Sequence, residues 1–338
     1  MKLVFSKSEL SKAVGIVMKA VPTRTTMNIL ECILIDATTN VIKFTSNDME
    51  LGIETIVEGE IIEKGKVAIE AKLFSEIVRR FPDNEVTIST DSNYTSLITC
   101  EKSKINIAGK SGEDFSFLPI IDKDKMITIS QFNLKEIINQ TIFSTAPNDN
   151  NKMMTGELFE VSDNTLKVVG LDGHRIAIRS IQLEGRADDV KAVVPGKTLQ
   201  EISKLMSTDA ENMVNIYFTN NHILFEFDNT IVVSRLIEGE YFKINQMLSS
   251  DYETKVVINK KEFIGSIDRA NLLITESEKK PIIINITDGS LEVTVNSSKG
   301  KFNEDINIKK EGKDLMIGFN PKFLMDALRV IDDENVDI

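Results

Sequence analysis

The chain has 338 residues, a formal net charge of −12, 41% hydrophobic and 27% charged residues. At ~150 residues per domain this is room for two or three cored domains, and the composition excludes a disordered or fibrous chain. No apolar run reaches the ~18 residues of a membrane span, MKLVFSKSEL turns polar too early for a signal peptide, and two cysteines, Cys32 and Cys100, make no disulfide framework and fit a reducing cytoplasm.

In chain order, the first predicted element is a helix within FSKSELSKAVGIVMKAV, where Leu10, Ala13, Val14 and Val17 form an apolar stripe. Alternating runs containing Ile42, Phe44, Leu51 and Ile53 read as half-buried strands. Residues 67–88 then give a strand, Lys72, a helix with Phe74, Ile77, Val78 and Phe81 on one face, an acidic turn and a strand. SLITCEKSKINIAG supplies two more strands, and GEDFSFLP follows them.

The same order recurs twice. ISQFNLKEIINQTIFSTA and INKKEFIGSIDRANLLI open the later repeats, with Leu134 and Phe263 in the place of Leu10. Leu166, Val168, Ile176 and Ile178 lie in the second set of strands. Residues 192–216 and 315–338 repeat the pattern of 67–88, so Lys72, Lys197 and Lys322 recur at a spacing of 125 and again 125. Ile223, Phe225 and Phe227 alternate in HILFEFDN, and Asp228-Asn229 and Asp288-Gly289 mark turns. Each unit is two helices and many strands, an α+β domain, with boundaries expected at 1–125, 126–253 and 254–338. Nothing follows NVDI in the third repeat, so internal comparison predicts about 25–30 further residues in a complete one.

The six helical segments together carry about +8, leaving about −20 for everything else. Positive helices on an acidic protein suit a polyanion held through phosphates without reading of base sequence. Other chemistries lack their parts. Val194-Pro195-Gly196-Lys197-Thr198 resembles the end of a phosphate loop, but Lys191 stands where the first glycine belongs. Asp172 with His174 is no metal or acid–base set, and His222 reads as a turn residue. Ser277-Glu278-Lys279-Lys280 matches S-x-x-K without its partner motifs, and Asp149-Asn150-Asn151 lacks the remainder of a calcium loop. An enzyme on a repeated α+β fold is the alternative reading, but no convergent catalytic set is visible. A sequence-specific DNA binder would need an exposed recognition helix, whereas here the charge is spread over several core-packed helices.

LDGHRIAIRS (171–180) is similar to the TDGHRLA signature of the bacterial DNA polymerase III beta subunit family, the sliding clamps. MKLVFSKSEL, TRTTMNIL (23–30), SNDMELGI (46–53) and IGFNPKFLMDAL (317–328) also resemble that family. The resemblance implies three clamp domains per chain, helices lining a central hole, and a head-to-tail homodimeric ring around double-stranded DNA. It implies no catalysis and no cofactor. It implies DNA-facing roles for Arg24, Lys72 and Lys197, with Lys322 as their counterpart by position, and Arg79, from the positive charge of the same helix as Lys72, is expected to join them. It also implies a peptide pocket for the polymerase III alpha subunit, the clamp loader and other clamp-motif peptides, at Met154, Leu171, Gly173, His174, Arg175, Ile176, Phe242 and Met247. Leu171 stands in place of the usual Thr, and Phe242 in place of the usual Pro. For the ring joint it implies Ile105, Leu272 and Leu273, with Lys102 and Lys104 facing Glu304 and Asp305.

Overall fold

The computed structural model describes residues 1–248, 251–274 and 280–338. They form two compact bodies. One joins Met1–Asp172 to Ile178–Gly239, and the other joins Gly173–Ala177 to Glu240–Ile338.

The first body contains two repeats and the second body one. Each repeat opens with a strand that runs into a helix: α1 (Lys7–Val17), α3 (Gln131–Asn139) and α5 (Lys260–Asn271). All three start alike. The Ser6, Ser130 and Asn259 side chains accept from the backbone N–H of Glu9, Asn133 and Glu262, satisfying donors that the helix itself leaves free. The fourth residue of each is Leu10, Leu134 or Phe263, and all three are fully buried. The second helices are α2 (Ala71–Arg80), α4 (Gly196–Leu205) and α6 (Pro321–Arg329), and Lys72, Lys197 and Lys322 are their second residues. Within each repeat the two helices pack side by side. Fully buried Phe74, Leu199 and Phe263 each contribute about 1.5–3 kcal/mol of apolar burial.

The strand after the second helix returns antiparallel to the opening strand. Phe5 pairs with Val86, Ile129 with Val214, and Ile258 with Val336, so the third repeat keeps the register of the first two. The first helix covers its whole apolar stripe, Leu10 to Val17. It ends at Val17 and tightens into a 3₁₀ turn over Met18–Ala20, which leaves Arg24 in irregular chain rather than on a helix.

The two repeats of the first body share one thirteen-stranded sheet. Its continuity rests on one joint, where Thr230–Arg235 of the second repeat pairs antiparallel with Leu51–Val57 of the first. Val232 faces Ile53, both fully buried, and the Thr55 and Thr230 hydroxyls bond at 2.9 Å. The connection between the repeats lies across the sheet. Phe115 is buried in a small cluster with Cys32, Leu34 and Ala68, while Leu118 and Ile121 pack on Tyr217, Leu224 and Val233. Lys123 anchors its end, 2.7 Å from Glu226 and 4.9 Å from the centre of the Tyr217 ring. The hydrogen bond to Lys123 holds the Glu226 carboxyl below its usual range.

In the second body a six-stranded sheet packs on α5 and α6 around Val256, Phe263, Ile267, Ile284 and Leu328. One long strand, Gly300–Gly312, pairs with Ser290–Ser297 along its first half and with Thr254–Asn259 along its second.

Candidate functional site

The sequence assigns the expected function to three sets of residues: basic helix residues, an apolar pocket wall and two strand edges. Lys72, Lys197 and Lys322 are all exposed, and their common place in the first turn of the second helix follows from the repeat. Lys72 and Lys322 form no ion pair among the described residues, whereas the Lys197 ammonium lies 2.7 Å from Asp48. Lys197 also borders a groove of about 590 Å³ lined by Asn148, Asp149, Asn150, Lys152 and Thr155. Arg24 is exposed. Arg79 is exposed too, but both oxygens of Glu76 bind its guanidinium, at 2.6 and 2.8 Å, so less of its charge is free than the sequence suggested.

The residues of the incomplete motifs have structural places. Gly196 and Lys197 open α4, directly after a strand and with no glycine-rich loop before them. Asp149 accepts from the Asn151 N–H, and Asn151 caps a short 3₁₀ turn. His222 begins a strand. Ser277, Glu278 and Lys279 of the S-x-x-K match lie outside the described residues.

The residues expected to form the pocket fall in both bodies. In the first, Leu171 is buried at the end of a strand and Met154 is half-buried in a 3₁₀ turn. In the second, Gly173 takes φ +84°, a turn conformation that side chains resist, and the residues after it lie against α6. The Arg175 guanidinium binds Asp326 at 2.8 Å and sits 4.4 Å from the Phe323 ring centre. His174 stacks on the same ring at 5.7 Å. Ile176 begins the next strand. Phe242 packs edge-on against Tyr241, and Met247 is exposed. Phe323 and Asp326 were not legible as site residues. Phe323 follows the repeated lysine, but only the fold puts its ring beneath the DGHR turn.

Among the described residues the two strand edges are open. Ser103–Ser111 pairs with Thr95–Cys100 through residues 103–108, and with Lys66–Glu70 only through residues 109–111. Residues 300–307 likewise have a strand partner on one side only. Ile105 packs partly on the core, Lys102 and Lys104 are exposed, and Leu272 is 74% exposed. Leu273 instead packs on the core of the third repeat. Glu304 already accepts two bonds from Arg269 of its own chain, at 2.9 and 2.5 Å, which keep its carboxyl below the usual range. Asp305 accepts from the Ser290 hydroxyl at 3.2 Å.

A threefold repeat of paired helices on antiparallel sheets, with a basic residue at the start of each second helix, defines the fold of a clamp. Models of the DNA polymerase III beta subunit match the chain throughout: the N-terminal domain at 1–119, the central domain at 128–243 and the C-terminal domain at 245–338. The chain belongs to this family, the sliding clamps, which are non-catalytic accessory subunits of the polymerase. It is 36% identical to the beta sliding clamp of Staphylococcus epidermidis over 331 residues, covering 95% of this chain and 88% of that protein. A solved structure from Eubacterium rectale shares 65% identity at TM-score 0.97, covering all of this chain and 92% of that one. The DNA polymerase sliding clamp of Bacillus subtilis shares 32% identity at TM-score 0.96, with the same coverage.

Proposed function

We propose that two copies of this chain close head to tail into a six-domain ring that encircles duplex DNA and tethers the replicative polymerase. Each chain contributes three domains divided near residues 125 and 253. The observation that carries the ring is the internal joint between the first two repeats. Following the strand ladders from repeat to repeat, Val232 corresponds to Ile105 and Thr230 to Ser103, while Ile53 corresponds to Phe302 and Thr55 to Glu304. The two open edges are therefore the counterparts of two edges already paired within the chain. Carrying the register over sets Ile105 opposite Phe302 of the second copy and Ser103 opposite Glu304. Two such joints close the ring, because a heterologous contact gives a closed assembly only when its rotation closes. Pairing also removes exposed strand edges that otherwise invite aggregation.

The basic helix residues supply non-specific phosphate contacts, and topological linkage supplies retention, so weak contacts suffice and sliding is unhindered. In the second body the turn through Gly173, His174 and Arg175, with Phe323, Phe242 and Met247, forms a docking wall for clamp-motif peptides of the polymerase alpha subunit and the clamp loader. Methionine suits such a wall because its flexible side chain repacks around different ligands.

The test is a Ser103→Cys, Glu304→Cys double variant. Oxidation is expected to give a covalent dimer, whereas a Ser103→Cys, Asp305→Cys pair, one residue out of register, is expected to cross-link poorly. The dimer, loaded on nicked circular DNA and only then oxidised, should stay bound through a salt wash and run off when the circle is cut. Cross-linking by the displaced pair alone would refute the register. Retention on linear DNA would refute encirclement.

A further inference from the structure

The central repeat holds a buried acid that neither DNA nor peptide binding employs. Glu157 is the second residue of the strand Gly156–Ser162 and is fully buried, and among the described residues no group donates a hydrogen bond to either of its carboxyl oxygens. Its space exists because the neighbouring strand carries glycine: a Cβ on Gly170 would lie 3.2 Å from Glu157 Oε1 and 2.7 Å from the Thr141 carbonyl oxygen. Burial pushes the Glu157 carboxyl up to about 8, against a smaller downward pull from the Thr141 hydroxyl. That pull requires the single hydroxyl proton, which Thr141 already gives to the Ile137 carbonyl at 2.7 Å. Toward Glu157 the hydroxyl can therefore offer only a lone pair. A carboxylate has nothing to give a lone pair, and a neutral carboxylic acid does.

No charged side chain acts on Glu157. On the flanking strands, Lys167 and Lys191 pair with Glu160. On α4, Lys204 pairs with Glu201 and Lys197 with Asp48, while on α3 Lys135 donates to the Met206 carbonyl and Glu136 is half-buried. Lys152, on the 3₁₀ turn just before the strand, is exposed.

Thr141 begins the segment that runs from α3 to the Glu157 strand. Many of its hydrogen bonds run within the segment itself, among them Ser144 N–H to Thr141 O at 3.0 Å, Thr145 N–H and Oγ1 to Ile142 O at 3.1 and 2.8 Å, Ala146 N–H to Met154 O at 2.8 Å, Met154 N–H to Asn151 O at 3.0 Å and Thr155 Oγ1 to Lys152 O at 2.7 Å. It carries Lys152 and Met154 and lines the groove beside Lys197. We propose that Glu157 is a proton-dependent latch, whose neutral carboxyl donates to Thr141 and ties the 141–155 segment down, so that loss of the proton loosens the groove wall. The latch stands on the buried cluster alone. Its effect on DNA sliding or peptide binding rests on the function proposed above.

The full-length protein tests it in three forms: wild type, Glu157→Gln, which keeps a neutral donor, and Glu157→Leu, which keeps neither charge nor donor. Between pH 4.5 and about 8 the folded wild type holds a proton that the unfolded chain has released, so stability falls as pH rises through that window and levels off above it. The urea midpoint of wild type, taken relative to Glu157→Gln, should fall from pH 5.5 to 8 and then flatten. Amide exchange over 142–155 should lose about tenfold of protection above pH 8 in wild type, beyond the intrinsic base-catalysed rise, and should not in Glu157→Gln. Glu157→Leu should exchange fast in this segment at every pH. A side-chain carboxyl ¹³C resonance titrating near 8 in the wild type reads the group directly. A wild-type-minus-Gln difference that is constant from pH 5.5 to above 8 would mean that Glu157 does not change charge on folding or titration in this range and would overturn the latch. Slow exchange of 142–155 in Glu157→Leu at pH 6 would overturn it equally.

Discussion

Replacing Ile105 by Ala tests the ring joint at its centre. Ile105 is the counterpart of Val232, which is fully buried against Ile53 in the internal joint, whereas Ile105 itself is only partly covered by its own chain. Closing the joint should therefore bury the remainder of its side chain against Phe302 of the second copy. Deleting the outer carbons of a half-buried isoleucine costs about 1.5 kcal/mol, below the ~2–5 kcal/mol of a fully buried one. A two-chain ring contains this contact twice, so the cost doubles to about 3 kcal/mol, and at 1.4 kcal/mol per factor of ten the dimer should weaken on the order of a hundredfold. The assay is light-scattering chromatography or sedimentation over a range of protein concentrations. The Asn106→Ala variant, an exposed neighbour on the same strand, serves as a control for general damage. A dissociation constant within about threefold of wild type, with an unchanged thermal midpoint, would place the joint elsewhere and refute the transfer of register.

Asp326→Asn should cost the second body about 1–2 kcal/mol in urea, because it removes the negative charge 2.8 Å from the largely buried Arg175 guanidinium. It should also weaken binding of a clamp-motif peptide in fluorescence anisotropy, and unaltered peptide affinity would remove Arg175 from the docking wall. Lys72→Ala combined with Lys322→Ala should flatten the salt dependence of DNA affinity by about 0.9 for each phosphate no longer neutralised, without altering any preference for base sequence. Lys123→Met should cost under about 1 kcal/mol, because both partners of the Lys123–Glu226 pair remain a third or more exposed. The depressed Glu226 carboxyl stabilises the fold above its unfolded value of 4.5 and loses that stabilisation as pH falls through its folded value. Wild type should therefore lose more stability than Lys123→Met on acidification from pH 5 to pH 3, and parallel denaturation profiles would show that the pair carries none of the acid sensitivity.

Much of the fold was legible because it rests on local pattern. The stripe through Leu10, Ala13, Val14 and Val17, the buried Phe74, Ile77 and Val78, and the alternation through Ile223, Phe225 and Phe227 are periodicities of 3.6 and 2 that each element imposes on its own residues. Helix ends were less legible. Arg24 sits beyond the helix because the chain turns into a 3₁₀ turn after Val17, where no strong stop signal stands. Charge counts along the sequence overstated the free positive charge, since the Asp48 and Glu304 carboxylates find their partners only in the folded chain.

By itself the sequence determined the threefold repeat, the class of each unit and the recurring lysine at the second position of each second helix, all of which depend on spacing along one chain. The tertiary structure alone decided the pairing of Leu51–Val57 with Thr230–Arg235, the Phe323 ring under Arg175 and His174, and the uncharged surroundings of Glu157. These are meetings between residues far apart in sequence. Which strand edges and side chains meet is set by packing of the assembled elements, and periodicity within one element carries no information about it.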